Sequence, residues 1–205
     1  MPDFNDLMHR AILPFMLGTV ICDDGGFHQT TTDKHNHGYV DEYRKIAAEL
    51  GEKARVCELG VYYGASLNLW KELFPQGLIA GVDMREESWW PNGTIKIVAE
   101  QQDPDLVPLL WEHSDFWDLI VDDCSHLGEL TAISLGHLWA LVSPGGYYVI
   151  EDWQVGFSHW LDFDRSMLTL AENLISYLTE DSDVESIKYR YGMVIMKKKV
   201  PDATD

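Results

Sequence analysis

DLIVDDCSH, residues 118–126, and GYYVIEDW, residues 146–153, decide the fold of this chain. In each stretch a short apolar run, rich in β-branched or aromatic residues, leads into two acidic residues. Such runs are typical of strands buried on both faces, as in a parallel sheet. Residues 127–142 between them carry apolar side chains at helical spacing, and Ser143-Pro144-Gly145-Gly146 is a predicted turn. The stretches therefore predict a βαβ unit whose two strands end in carboxylates at the ligand-binding edge of the sheet.

The rest of the chain continues this alternation. Strands are predicted at residues 55–59, 78–83 and 94–98, and helices at 43–50, 65–74, 106–113 and 164–177. Gly192 is expected to turn a closing hairpin of residues 184–191 and 193–197. We predict an α/β fold, with a doubly wound, mostly parallel, seven-stranded Rossmann-like sheet and a C-terminal antiparallel hairpin. This domain is expected to span residues 41–200, after an N-terminal segment of 1–40 and before a tail of 201–205.

Composition excludes some classes of partner. The 205 residues include 34 acidic and 15 basic side chains, for a net charge of −19, which disfavours nucleic acid and anionic lipid. No apolar stretch reaches the ~18 residues of a membrane span, and the apolar residues 11–22 run into Asp23-Asp24, a poor match to a secretory signal. Three cysteines, an odd number, favour free thiols in a reducing compartment, so a cytoplasmic location is expected.

ELGVYYGAS, residues 58–66, predicts a tight turn between the first parallel strand and the next helix. Its glycines allow a ligand to approach the backbone closely, but it lacks the middle glycine of a dinucleotide fingerprint. Asp83, at the end of the following strand, is placed to accept hydrogen bonds from a ribose diol. Together these features predict an adenosine-containing ligand.

Several motifs carry a resemblance to one enzyme family. CELGVYYGASLNLW at 57–70, DDCSH at 122–126 and IEDW at 150–153 resemble the class I S-adenosylmethionine-dependent methyltransferases, most closely the metal-dependent macrolide sugar O-methyltransferases of the mycinamicin and macrocin group. Thr32-Asp33-Lys34, His37-Gly38-Tyr39 and residues 100–104 also match, so the resemblance covers about residues 31–155. It implies that residues 32–39 cap S-adenosylmethionine and that the donor is bound by Thr32, Asp33, Tyr39, Glu58, Gly60, Gly64, Asp83, Glu100, Gln101 and Asp122.

The same resemblance implies a metal-assisted methyl transfer. A sugar hydroxyl is too weakly acidic to ionise unaided, and a hard divalent cation such as Mg²⁺, held by carboxylates, can lower that barrier. Asp123, Glu151 and Asp152 match the metal ligands of the family, and His126 matches its general base. Two vicinal hydroxyls of the acceptor could then chelate the cation. The expected acceptor is a sugar of a glycosylated natural product or glycan.

Other interpretations stay open at this stage. Asp122 and Asp123 could cap the following helix together with Ser125, and His126 could be a solvated side chain. A cephalosporin-hydroxylase-like enzyme, a non-catalytic protein that binds S-adenosylmethionine, and a catechol-type acceptor remain alternatives. A homo-oligomer is also compatible with the sequence.

Overall fold

The computed structural model describes residues 32–86, 90–157 and 165–201, and the backbone of two short strands before them. Those two strands, β1 (Thr19–Ile21) and β2 (Phe27–Gln29), pair antiparallel as a separate small sheet. The main sheet has seven strands in the order β5-β4-β3-β6-β7-β9-β8. They are β3 (Arg55–Leu59), β4 (Leu78–Asp83), β5 (Ile95–Val98), β6 (Trp117–Asp122), β7 (Val142–Glu151), β8 (Val184–Arg190) and β9 (Met193–Lys198).

Helices cover both faces of this sheet because side chains alternate between two apolar clusters along each strand. One cluster joins Cys57 and Ile120 of the strands to α3 (Leu106–Trp111), α4 (Gly128–Leu138) and α5 (Ser166–Leu174). The other joins Val56 and Val121 to α1 (Val40–Leu50) and α2 (Ala65–Leu73). The doubly wound arrangement predicted from the sequence is therefore confirmed.

The strand directions also match the prediction. Strands β3 to β7 are mutually parallel, whereas β9 enters antiparallel between β7 and β8 and so forms the closing hairpin. From β3 the chain builds outward through β4 and β5, then returns to place β6 on the other side of β3. Ligands of such sheets bind at this reversal, beyond the carboxyl ends of the strands.

One local prediction was wrong. Residues 143–146 were expected to form a turn, but they lie within β7, which starts at Val142. The pairing explains why turn residues stand there: Val142 lies opposite Trp117 and Tyr147 lies opposite Leu119, so the strand bulges between them. A bulge accepts glycine and proline that a regular strand would not. The predicted helix at 164–177 is α5 followed by a short 3₁₀ turn, Ile175–Tyr177, and Asp164 lies outside the described residues.

The cysteines whose side chains are described differ in burial. Cys57 is buried and Cys124 is partly buried, and both are free thiols; the side chain of Cys22 lies outside the described residues. Burial raises the pKa of the Cys124 thiol to about 12.

Within the described part of the chain, every helix is too short or too polar to cross a bilayer.

Candidate active site

A cavity of about 710 Å³ opens at the carboxyl edge of the sheet, beside the loops that follow β3 and β6. This size is in the range of small-molecule sites. Six of the ten residues predicted to bind the donor line the cavity, as do three of the four predicted catalytic and metal-binding residues. These are Thr32, Asp33, Gly60, Asp83, Glu100 and Gln101 from the first set, and Asp123, His126 and Asp152 from the second.

The loop after β3 forms one wall of the cavity. Gly60 adopts φ of +90°, a conformation that favours glycine. Asp83, at the end of β4, accepts backbone N–H bonds from Val61 at 3.0 Å and Tyr62 at 2.8 Å. Burial alone would raise the pKa of Asp83, but hydrogen bonds from Arg85 and from the loop lower it instead. Asp83 therefore stays ionised at the cavity wall and fixes the shape of the loop.

Three further predicted donor residues do not line the cavity. Glu58 is fully buried and accepts hydrogen bonds from Ser66 at 2.5 Å and from the Trp70 indole at 2.9 Å. Gly64 precedes α2 with a left-handed backbone. Tyr39 is also buried, and its contacts are with the acidic end of the cavity.

Asp122 is the other predicted donor residue that does not line the cavity. It is 2% exposed, and the hydroxyl groups of Ser134 and Tyr148 donate to its carboxylate. Burial raises the pKa of Asp122 to about 6. Through Gln101, whose side-chain carbonyl accepts from the Ser125 N–H at 3.1 Å, this network supports the loop that follows β6.

The acidic end of the cavity brings together Asp123, His126 and Asp152. One ligand atom from each of the three lies within 4.8 Å of the others. His126 Nε2 is 4.0 Å from Asp123 Oδ1 and 3.9 Å from Asp152 Oδ2. His126 and Asp152 adopt left-handed backbones, with φ of +54° and +56°, and such strained residues are frequent at functional sites. Two carboxylates beside an imidazole fit a divalent cation that prefers oxygen ligands.

Asp152 is held in place by the segment expected to cap the donor. The Tyr39 hydroxyl donates to Asp152 Oδ1 at 2.6 Å, which leaves Oδ2 on the side of His126. Burial alone would raise the pKa of Asp152, but the hydrogen bonds from Tyr39 and Gln154 lower it. Asp152 is therefore an ionised carboxylate with one oxygen available at the cavity.

Glu151, the third predicted metal ligand, is placed differently. It is the last residue of β7, is 2% exposed, and does not line the cavity. One of its oxygens accepts a hydrogen bond from the Tyr43 hydroxyl, and the other accepts from Lys34 Nζ at 2.8 Å. The structure thus brings two of the three predicted metal ligands together with His126 and places Glu151 in an adjoining buried network.

The main residue that the sequence interpretation missed is Lys34, which it had noted only as part of Thr32-Asp33-Lys34. Its side chain is 1% exposed, and Nζ lies 2.5 Å from Asp123 Oδ2 and 3.3 Å from Glu58 Oε1. Burial alone would lower the pKa of Lys34, but the surrounding carboxylates raise it, so it stays charged. A lysine next to an aspartate in a polar segment gives no local sign of burial, because its partners lie far along the chain.

Sequence and structure comparisons relate this chain to known O-methyltransferases. No family model matches the chain. Demethylmacrocin O-methyltransferase of Streptomyces fradiae is 33% identical over 192 residues, which are 86% of this chain and 45% of that protein. Mycinamicin VI 2''-O-methyltransferase of Micromonospora griseorubida is 30% identical over 159 residues, 74% of this chain and 36% of that protein.

The chain is a homologue of these O-methyltransferases. It spans less than half the length of both of them. Among solved structures, the MycE methyltransferase from the mycinamycin biosynthetic pathway, in complex with Mg and SAH, superposes with a TM-score of 0.69 at 24% identity. That match covers 80% of this chain and 50% of MycE. At this identity the superposition establishes a shared fold for this O-methyltransferase homologue.

Proposed function

We propose that this chain is the catalytic unit of an S-adenosylmethionine-dependent O-methyltransferase that methylates a sugar hydroxyl with the help of a divalent cation. The observation that carries the proposal is the grouping of Asp123, His126 and Asp152 within 4.8 Å at one end of the cavity. A donor pocket alone has no need of that grouping. The homology to macrolide and other sugar O-methyltransferases supports the same activity.

S-adenosylmethionine would occupy the part of the cavity between the loop after β3 and Gln101. Asp83 is proposed to receive the ribose, and Glu100 or Gln101 to lie at the adenine, since all three line the cavity. The donor carries a sulfonium cation, and acidic side chains outnumber basic ones in the cavity lining. A negative cleft raises the local concentration of a cationic ligand. Thr32 and Asp33, which belong to the segment of residues 32–39, would cover the bound donor.

The divalent cation, which we take to be Mg²⁺, would be held by Asp123 and Asp152, with Glu151 as the third proposed ligand. When bound it would supply Lewis acidity to the acceptor hydroxyl and orient two neighbouring oxygens. Mg²⁺ prefers oxygen to nitrogen ligands, which leaves His126 free for proton transfer. Glu151 would reach the cation only by sharing the oxygens that now accept from Lys34 and Tyr43.

His126 is proposed as the general base. As the acceptor oxygen attacks the methyl group, its proton passes to His126 Nε2, and the sulfonium becomes a neutral thioether. Asp123 and Asp152, about 4 Å from Nε2, would stabilise the imidazolium that forms. They would also keep the ring facing the cavity. The positive charge lost by the sulfonium is thus balanced by the proton on His126, which lies beside these two carboxylates.

The proposed acceptor is a vicinal diol on a sugar of a glycosylated small molecule. The relatives' names specify sugar positions on macrolide and tetracenomycin glycosides, which supports this class without identifying the compound. A cephalosporin-hydroxylase-like activity is less well supported, because non-haem iron oxygenases use two histidines and one carboxylate. The cluster found among the described residues has one histidine and two carboxylates.

The test is a methyl-transfer assay with isotopically labelled S-adenosylmethionine, Mg²⁺ and a panel of glycosides. Each glycoside with two neighbouring hydroxyls is paired with its analogue lacking one of them. We expect label to enter the diol and not the analogue, with the mass of the product increased by one methylene group. Transfer to both members of each pair would reject chelation of a diol. Transfer that survives complete removal of metal would reject the role of the cation.

A further inference from the structure

We infer that Lys34 is a positioning residue that fastens residues 32–39 over the cavity and joins the donor side of the site to its metal side. Its Nζ contacts Glu58 behind the loop after β3, Asp123 after β6 and Glu151 at the end of β7. A single ammonium group therefore links carboxylates from three neighbouring strands. This inference rests on the proposed function only for the identity of the ligand.

The local backbone presents Lys34 for this role. Residues 33–35 form a 3₁₀ turn, in which the Lys34 N–H donates to the Thr32 hydroxyl oxygen at 3.3 Å. The Lys34 carbonyl then accepts from the Tyr39 N–H at 2.9 Å. The segment is thereby folded into a compact loop between Lys34 and Tyr39. Because Thr32 and Asp33 line the cavity, the position of Lys34 sets the position of that wall.

Lys34 also supplies the positive charge next to two buried carboxylates, Glu58 and Glu151. Glu58 Oε1 is buried and has no hydrogen-bond donor among the described residues, so the ammonium at 3.3 Å is its counter-charge. Glu151 is equally buried, with Tyr43 as its other donor. A buried carboxylate without a charge partner is strongly disfavoured. Removing Lys34 would therefore leave both buried carboxylates without the counter-charge that they now contact.

The contact with Asp123 has a consequence for the metal side. Lys34 binds Oδ2 of Asp123 at 2.5 Å, while Oδ1 faces His126. At the same acidic end of the cavity, Tyr39 binds Oδ1 of Asp152 and leaves Oδ2 toward His126. Both ends of the same short segment thus select which carboxylate oxygen faces the cavity. The segment is a cap for the donor and, through these two side chains, an outer support for the proposed cation ligands.

Hydrogen exchange of Lys34→Met against the wild type tests the anchoring directly. The N–H groups of residues 35–39 all make backbone hydrogen bonds within the segment. We expect their exchange to accelerate by ~10-fold or more in the variant, with exchange in β4 and β5, which carry none of the carboxylates that Lys34 contacts, unchanged. The control is Lys45→Met, which replaces an exposed lysine that pairs with Glu42 on α1. Unchanged exchange in residues 35–39 would overturn the inference.

Titration with S-adenosylhomocysteine, well below the melting temperature, tests the link to the cavity. We expect Lys34→Met to bind it at least ~10-fold more weakly, as for other outer supports of a site, and Lys45→Met to bind it normally. Equal affinity of Lys34→Met and the wild type would overturn the link. Should Lys34→Met not fold, Glu58→Gln removes one of the three ion pairs and should give a smaller change in the same direction. Absence of binding by the wild type would instead reject the proposed function, while the exchange result would still decide the anchoring.

Discussion

The carbonyl oxygen of Asp123 fills the space that a side chain on Gly60 would need. An ideal Cβ on Gly60 would lie 2.1 Å from that oxygen. The N–H of Asp123 also donates to the Leu59 carbonyl at 3.0 Å. The loop that walls the proposed donor pocket and the residue proposed to bind the cation are therefore packed backbone to backbone.

Gly60→Ala should abolish this packing. The new methyl group would meet a backbone atom, which cannot rotate away, and the φ of +90° is unfavourable for alanine. We expect at least ~10-fold weaker binding of S-adenosylhomocysteine by calorimetry. Gly51→Ala is the matched control: its φ is +79°, but nothing lies within 4 Å of the added Cβ. It should cost about 1–3 kcal/mol of stability and leave binding unchanged; equal binding by both variants would contradict the role of Gly60.

His126→Asn should remove the general base while keeping the fold. Asparagine tolerates the left-handed backbone of residue 126 better than alanine does. The rate of methyl transfer should fall by roughly 10²- to 10⁴-fold, with little change in donor affinity. His113→Asn, an exposed histidine after α3, is the control and should behave as the wild type. Retention of more than a tenth of the wild-type rate in His126→Asn would exclude it as the base.

Binding of Mn²⁺, followed by electron paramagnetic resonance, should separate the proposed cation ligands. Asp123→Asn and Asp152→Asn should each weaken binding by at least ~10-fold, since each removes a carboxylate that faces the cavity. Glu151→Gln should have a smaller effect, because Lys34 and Tyr43 already occupy its two oxygens. A loss for Glu151→Gln as large as for Asp152→Asn would show that Glu151 contributes as much to cation binding as the two carboxylates that line the cavity.

Asp118, at the opposite end of β6, should matter for stability alone. Its carboxylate accepts from the Arg55 guanidinium at 2.8 and 2.9 Å and from the Arg55 N–H at 2.8 Å. Asp118→Asn should lower the free energy of unfolding by about 1–3 kcal/mol at pH 7, measured by urea denaturation. Donor binding should be normal, and a loss of binding would show that this end of the sheet is coupled to the site.

The effect of Asp118→Asn should depend on pH. Burial alone would raise the pKa of Asp118, but the hydrogen bonds from Arg55 and Ser143 lower it below its usual range. Its stabilisation is therefore complete above the unfolded-state pKa of about 3.9 and is lost as the pH falls through the lower folded-state value. The stability difference between wild type and Asp118→Asn should be constant from pH 7 to 5 and shrink below about pH 4. A difference that grows on acidification would contradict the ion pair.

The fold could be predicted because its signals are local. The strands at 55–59 and 78–83 were predicted with the bounds that the structure has, since each is a short segment rich in apolar residues that follows a polar turn. The turn predicted at 143–146 was wrong because the same glycines and proline also suit a bulge. Only the pairing with β6, which no local pattern encodes, decides between the two.

Part of the site could also be predicted from local signals, because two of its residues follow predicted strands. Asp123 and Asp152 each follow a strand end, so the parallel topology brings them together. Glu151 directly precedes Asp152, yet alternation along the strand directs it into the buried network with Tyr43. The role of Lys34 was not predicted because Asp123 and Glu151, which accept its hydrogen bonds, lie 89 and 117 residues further along the chain. Contacts of that kind depend on the folded topology and leave no pattern in a sequence window.

The most direct test of the account is calorimetric titration of S-adenosylmethionine into the protein, with Mg²⁺ and after complete removal of metal. The account predicts saturable binding at one site per chain, at least ~10-fold weaker in Gly60→Ala and unchanged in Gly51→Ala. Absence of binding under both conditions, in protein shown to be folded, would contradict the assignment of the cavity as a methyl-donor site and with it the proposed methyltransferase activity.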